Sequence, residues 1–111
     1  MPTLFTRIIN GEIPSQKVFE DDAVVAFRDV NPVAPTHILV VPRQEIARLD
    51  QVTDDDEALL GRLLRTAAKV AAQAGLADYR LVINNGAGAG QSVFHLHVHI
   101  LGGRPLSWPP G

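Results

Sequence analysis

Phe94-His95-Leu96-His97-Val98-His99-Ile100-Leu101 decides how this chain is read. As a strand, its successive side chains alternate between faces, so the i, i+2, i+4 spacing sets His95, His97 and His99 side by side. Phe94, Leu96, Val98 and Ile100 then share the other face, free to pack beneath a helix. The apolar half accounts for a strand. It does not account for placing three of the chain's 4 histidines on the opposite face.

Three readings compete for that face. It is a solvated surface that happens to be histidine-rich, a zinc site of the three-histidine kind, or a set of neutral imidazoles for nucleophilic and acid–base work. Against metal, the chain has 0 cysteines, and no carboxylate stands near the triad in sequence. An imidazole of ordinary pKa, about 6.5, is a nucleophile at neutral pH. No metal or other cofactor is expected.

The preceding segment, Asn84-Asn85-Gly86-Ala87-Gly88-Ala89-Gly90-Gln91-Ser92, has many backbone amides and little side-chain bulk. Alone it reads equally as a flexible hairpin loop or as an anion cradle. It is neither a Walker A loop nor a dinucleotide fingerprint. Joined directly to three imidazoles, it points to phosphoryl or nucleotidyl transfer, which needs an anion cradle beside a nucleophile.

Further upstream, Thr53-Asp54-Asp55-Asp56-Glu57 is a helix start. Thr53 is the cap, and the acidic turn suits the positive end of the helix dipole. The helix should run to Ala74 and stop at Gly75. Its apolar stripe is Leu59, Leu60, Leu63, Leu64, Ala67, Val70, Ala71 and Ala74. Thr36 to Pro42 is the strongest β-branched run and reads as a strand. Val18 to Glu20, Ala23 to Arg28 and Tyr79 to Asn84 read as further strands, and Phe5 to Asn10 as a short helix. Strands in hairpin order around one long helix predict an α+β fold: a single domain, residues 1–111, with a central antiparallel sheet of about five strands and that helix packed on it.

The 111 residues suffice for one domain, and 46% hydrophobic content for its core. With Lys+Arg 10 against Asp+Glu 12, there is no electrostatic footprint for nucleic acid or an anionic membrane. The longest apolar run, Ala23 to Phe27, is too short to span a bilayer, and the N-terminus lacks the pattern of a signal peptide. A soluble cytoplasmic protein is expected.

His95-Leu96-His97-Val98-His99-Ile100 resembles the His-x-His-x-His-apolar signature of the histidine triad superfamily. The wider match resembles its nucleotide-binding branch, the purine nucleoside phosphoramidases. It is carried by Ile8-Ile9-Asn10-Gly11-Glu12-Ile13-Pro14, Phe19-Glu20-Asp21-Asp22, Ala34-Pro35-Thr36-His37, Gly90-Gln91-Ser92-Val93, Leu101-Gly102-Gly103-Arg104 and Trp108-Pro109-Pro110-Gly111, in order along nearly the whole chain. The resemblance implies that His97 attacks the α-phosphorus of a purine nucleoside phosphoramidate (an AMP or GMP derivative) and forms a nucleotidyl-histidine that water then hydrolyses. It gives His99 the phosphate and leaving group, and has His95 and His37 orient His97 through hydrogen bonds.

The resemblance also implies that Asp29 accepts from the ribose hydroxyls. It assigns Val30, Phe27, Leu4, Phe5, Ile8 and Ile13 to the base pocket, and Asn84, Gly90, Gln91 and Ser92 to phosphate and leaving-group contacts. Read without it, Phe27, Ile8 and Ile13 are equally core, Asp29 caps a turn, and His37 is a satisfied core histidine. The rigid Trp108-Pro109-Pro110 tail is expected to reach toward the other active site of a homodimer, or else to pack on its own domain. A dinucleoside polyphosphate hydrolase shares the motif chemistry, and a nucleotide-binding or protein-interaction module with slow turnover is the reading from a different class.

Overall fold

A computed structural model describes residues 1–111. Strand β3 (Thr36–Pro42) is the seven-residue spine, and its β-branched run is buried on both faces. Alternation sends Ile38 and Val40 to one side and His37, Leu39 and Val41 to the other. Strand β2 (Val24–Arg28) pairs antiparallel along one edge of β3, and β5 (Val98–Gly102) along the other. Strands β1 (Lys17–Glu20) and β4 (Tyr79–Val82) complete the order β1-β2-β3-β5-β4, antiparallel throughout. The fold is α+β, a five-stranded antiparallel sheet carrying one long helix, as the sequence predicts.

That helix, α2, runs Glu57–Gln73. It starts later than expected because Asp54–Asp56 form a 3-10 turn first; there the Thr53 N–H donates to Asp56 Oδ2 at 2.9 Å. Leu63, Ala67, Val70 and Ala71 meet Val24, Ala26, Ile38, Val40, Leu96, Val98 and Ile100 in the larger core. Burying side chains such as Ile38 and Ile100 contributes roughly 1.5–3 kcal/mol each. The stripe is narrower than expected: Leu64 is 47% exposed and Ala74 is exposed, while Thr66 is buried.

A six-residue helix, α1 (Leu4–Ile9), covers the other face. Its Phe5, Ile8 and Ile9 pack on Val25, Phe27, Leu39 and Val41. The two covers explain why β2 reads as a continuous apolar run rather than an alternating one. No helix is long and apolar enough to cross a membrane.

One strand boundary differs in a way that matters for the histidines. The sequence predicts a last strand from Phe94, yet β5 begins at Val98. The register Val40↔Val98 would next bring Pro42 opposite Leu96, and proline has no N–H for the ladder. The segment is held at separate points instead, with the Leu96 N–H donating to the Ile46 carbonyl at 2.6 Å. Freed from the pleat, Phe94 is 45% exposed and does not join Leu96, Val98 and Ile100 in the core.

Candidate active site

The histidines gather on the α1 side of the sheet, and their hydrogen bonds fix where each proton sits. A backbone N–H can only donate and a carbonyl can only accept. The Val33 N–H donates to His37 Nδ1 at 3.1 Å, so neutral His37 carries its proton on Nε2. That N–H faces His99 Nδ1 at 2.9 Å, which leaves the His99 proton on Nε2. His99 Nε2 is buried and has no partner within the protein. His97 Nδ1 lies 2.7 Å from the His95 carbonyl and must donate, so His97 Nε2 holds a free lone pair. The result is an unpaired lone pair beside an unpaired N–H, on rings whose centroids are 4.9 Å apart.

Burial lowers the pKa of all four histidines below the ordinary value. For His37, Asp29 partly opposes that effect. For His95, the Pro42 carbonyl and Glu45 oppose it. For His97, the His95 carbonyl opposes burial, whereas the neighbouring His95 and His37 rings reinforce it. His99 falls furthest, to about 4, through burial and then the adjacent His97 and His37. At neutral pH all four are neutral, as a nucleophilic imidazole must be.

His97 and His99 open onto a cavity of about 290 Å³. Leu4, Phe5, Ile8, Ile13, Phe27 and Val30 form its apolar lining, and Asp29 and Ser92 also line it, so the structure brings these expected residues together. Phe5 and Phe27 meet edge to face at 5.4 Å, and Phe5 also sits edge-on to His97 at 5.0 Å. One helix residue thus touches both the apolar wall and the His97 ring. Phe27 and Ile8 are core as well as wall.

The expected phosphate loop is only partly at the cavity. Asn84, Gly90 and Gln91 do not line it. Gln91 is buried and ties the loop internally: it accepts from the Gly86 N–H at 2.8 Å and donates to the Ala47 and Val93 carbonyls. Gly90, at φ +96°, ends the 3-10 turn Ala87–Ala89 in a left-handed conformation suited to glycine, and the Asn84 amide lies beside it.

His37 and His95 differ from expectation as well. His37 bonds to His99 rather than to His97. His95 orients His97 through its backbone carbonyl and not its ring, which faces Thr3 and Pro42.

The sequence places no carboxylate near the triad, but the fold does. Asp29 Oδ1 accepts from the Asn31 N–H at 2.8 Å, the turn cap expected of it, while Oδ2 lies 3.5 Å from His37 Nε2. Asp29, His37 and His99 bring ligand-type atoms within 4.8 Å of one another. A cation there would have to displace the proton that His37 Nε2 shares with His99 Nδ1. Arg104, which the sequence places in a family motif without giving it a role, is a further contributor. It donates to the Val33 carbonyl at 3.0 Å and so steadies the turn whose amide sets the His37 tautomer.

This fold and this site define a class, and the comparisons name it. The HIT domain family model matches residues 10–106. A HIT-like protein of Synechocystis sp. is 58% identical over 110 residues, spanning 98% of this chain and 96% of its own length. A crystal structure of a HIT family hydrolase from Legionella pneumophila superposes with a TM-score of 0.96 at 50% identity, covering 99% of this chain and 100% of that one. A HIT family hydrolase from Clostridium thermocellum gives a TM-score of 0.92 at 41% identity over 95% and 93% of the two chains. The chain belongs to the histidine triad (HIT) family and has the fold of its hydrolases.

Proposed function

We propose that the protein hydrolyses the P–N bond of purine nucleoside phosphoramidates through a nucleotidyl-histidine at His97. The observation that carries this reading is the pair of unpartnered nitrogens: a lone pair on His97 Nε2 and a proton on His99 Nε2. The apolar part of the cavity takes the base, and Asp29 at its rim takes the ribose hydroxyls in charge-assisted bonds.

With the substrate's phosphate anion set against His99, a proton from solvent adds to the His37–His99 pair at His99 Nδ1 as the His37 Nε2–H turns to Asp29 Oδ2, 3.5 Å away, which stabilises the charge and frees the His99 Nε2 proton to be given up. His97 Nε2 then forms a bond to phosphorus as the P–N bond breaks, and the departing amine carries that proton away. Water next adds to phosphorus, the bond to His97 breaks, the nucleoside monophosphate leaves, and the proton released by water returns to the pair. Two in-line displacements replace one difficult step. In this reading the imidazoles, backed by Asp29, supply the charge stabilisation, and no metal is needed.

Incubation with an adenosine phosphoramidate is expected to release AMP, in the presence of EDTA as in its absence. A diadenosine polyphosphate should react far more slowly. Preferential cleavage of the polyphosphate would assign the other hydrolase chemistry, and binding of both without turnover would make the protein a nucleotide-binding module.

The same reading includes a homodimer. Trp108, 79% exposed and only loosely held by Arg80 5.7 Å from its ring, is free to approach the site of a second copy. Light scattering is expected to give twice the 12.0 kDa chain mass, and a monomer at micromolar concentration would remove this part of the proposal.

A further inference from the structure

Thr3 reaches the triad outside the cavity that Leu4 and Phe5 line. Thr3 Oγ1 caps α1 by accepting from the Thr6 N–H at 3.0 Å. The same oxygen lies 2.6 Å from His95 Nδ1, a contact 92 residues apart in sequence. On its other side, His95 Nε2 faces the Pro42 carbonyl at 2.7 Å. A carbonyl only accepts, so Nε2 carries the ring proton, Nδ1 accepts, and the Thr3 hydroxyl donates.

Glu45 completes the arrangement. Its Oε1 takes the Thr6 hydroxyl proton at 2.6 Å and the Thr3 N–H at 2.9 Å. The Thr6 hydroxyl is thereby committed as a donor. Thr3 Oγ1 also lies 3.2 Å from Thr6 Oγ1, but the shorter approach to His95 is the better use of its single proton.

His95 is 0% exposed and does not line the cavity, and neither Thr3 nor Glu45 lines it. Yet the His95 backbone carbonyl is the group that holds the proton on His97 Nδ1. We propose that Thr3, braced by Glu45, is a positioning residue: by donating to Nδ1 it holds in place the His95 ring whose tautomer the Pro42 carbonyl sets, and so keeps the His95 carbonyl against His97, leaving the His97 Nε2 lone pair aimed into the cavity. Only the kinetic part of this inference rests on the function proposed above.

Thr3→Val keeps the shape and deletes the donor, while Thr3→Ser keeps the donor. Long-range 1H–15N spectra of the ligand-free protein read the His95 ring directly. They are expected to show a single Nε2–H tautomer with a hydrogen-bonded Nδ1 in the wild type. In Thr3→Val the Nδ1 resonance should move to that of a free imine nitrogen. AMP release from an adenosine phosphoramidate should fall about tenfold in kcat, the worth of one ordinary hydrogen bond, with KM within about twofold. Thr3→Ser should restore both.

Loss of the helix cap alone would lower Tm but would not move the His95 resonance. An unchanged His95 Nδ1 signal in Thr3→Val, or a wild-type kcat in that variant, would overturn the inference. A wild-type protein that releases no AMP would overturn the proposed function and leave the spectroscopic result to decide the role of Thr3.

Discussion

His97→Ala is expected to retain nucleotide binding and to lose turnover by roughly six orders of magnitude, the scale of loss when a covalent nucleophile is removed. Binding survives because Leu4 and Ile8 on α1, Phe27 on β2, and Ile13 and Val30 wall the cavity, and Asp29 is set by its own turn; Phe5, which does meet the His97 ring, is also held by Phe27. Turnover fails because the neighbouring rings cannot substitute. His99 Nδ1 is taken by His37, and His95 is fully buried between Thr3 and Pro42. AMP titration by calorimetry and single-turnover release from a phosphoramidate measure the two halves separately. Mass spectrometry of quenched wild-type protein should show one added nucleotide on the peptide containing His97, and none in the variant. A variant with the wild-type rate would remove His97 from the nucleophile's role.

The second large effect is on stability. All four histidines have depressed pKa values in the folded protein, while in the unfolded chain they titrate near 6.5. Below that pH the unfolded state binds more protons than the native state, so acid favours unfolding. The stabilisation is therefore complete above about pH 6.5 and is lost progressively as pH falls, for His99 down to about 4. Each histidine protonated only in the unfolded chain adds about 1.4 kcal/mol per pH unit to the slope. Glu20, Asp21, Glu45 and Asp50, whose carboxyls are held below their ordinary values, extend the loss in the same direction at lower pH. For Glu20, the hydrogen bond from Arg43 is the main cause. Urea unfolding at pH 7.5, 6 and 5 is expected to show stability falling by about 2 kcal/mol from His99 alone, more as the other three contribute, with a constant m-value. A flat profile over that range would mean that the imidazoles are not buried as neutral groups.

What the chain discloses without coordinates follows from the range of each interaction. Strand β3 is read from Thr36 to Pro42 because a β-branched run ending at proline is a local signal. The body of α2 is equally local, through its acidic start and 3.6-residue period. The triad's shared side of the fold is legible from the spacing of 95, 97 and 99, although only His99 lies on a regular strand. The apolar walls are legible through the family resemblance, and Ile8, Ile13 and Phe27 all reach the cavity.

Features that rest on long-range meetings stay hidden. Thr3 and Glu45 are ordinary residues in sequence, and it is the docking of α1 that sets them behind the triad. Asp29 reaches His37 because the 29–37 turn folds back on itself. Gln91 belongs to a recognisable phosphate-loop motif, yet its amide ties the loop to the Ala47 carbonyl, a partner that no local pattern announces. The late start of β5 is deducible in principle from Pro42, but only once the pairing of β3 with β5 is known.

Pro42 has a consequence for anyone reshaping this protein. Since the sheet releases its grip just upstream of Val98, the reactive stretch hangs from a handful of discrete tethers while the layers beneath it stay sealed. Adjusting those tethers offers a way to re-aim the chemistry by tenths of an ångström without disturbing the foundations that keep the molecule folded.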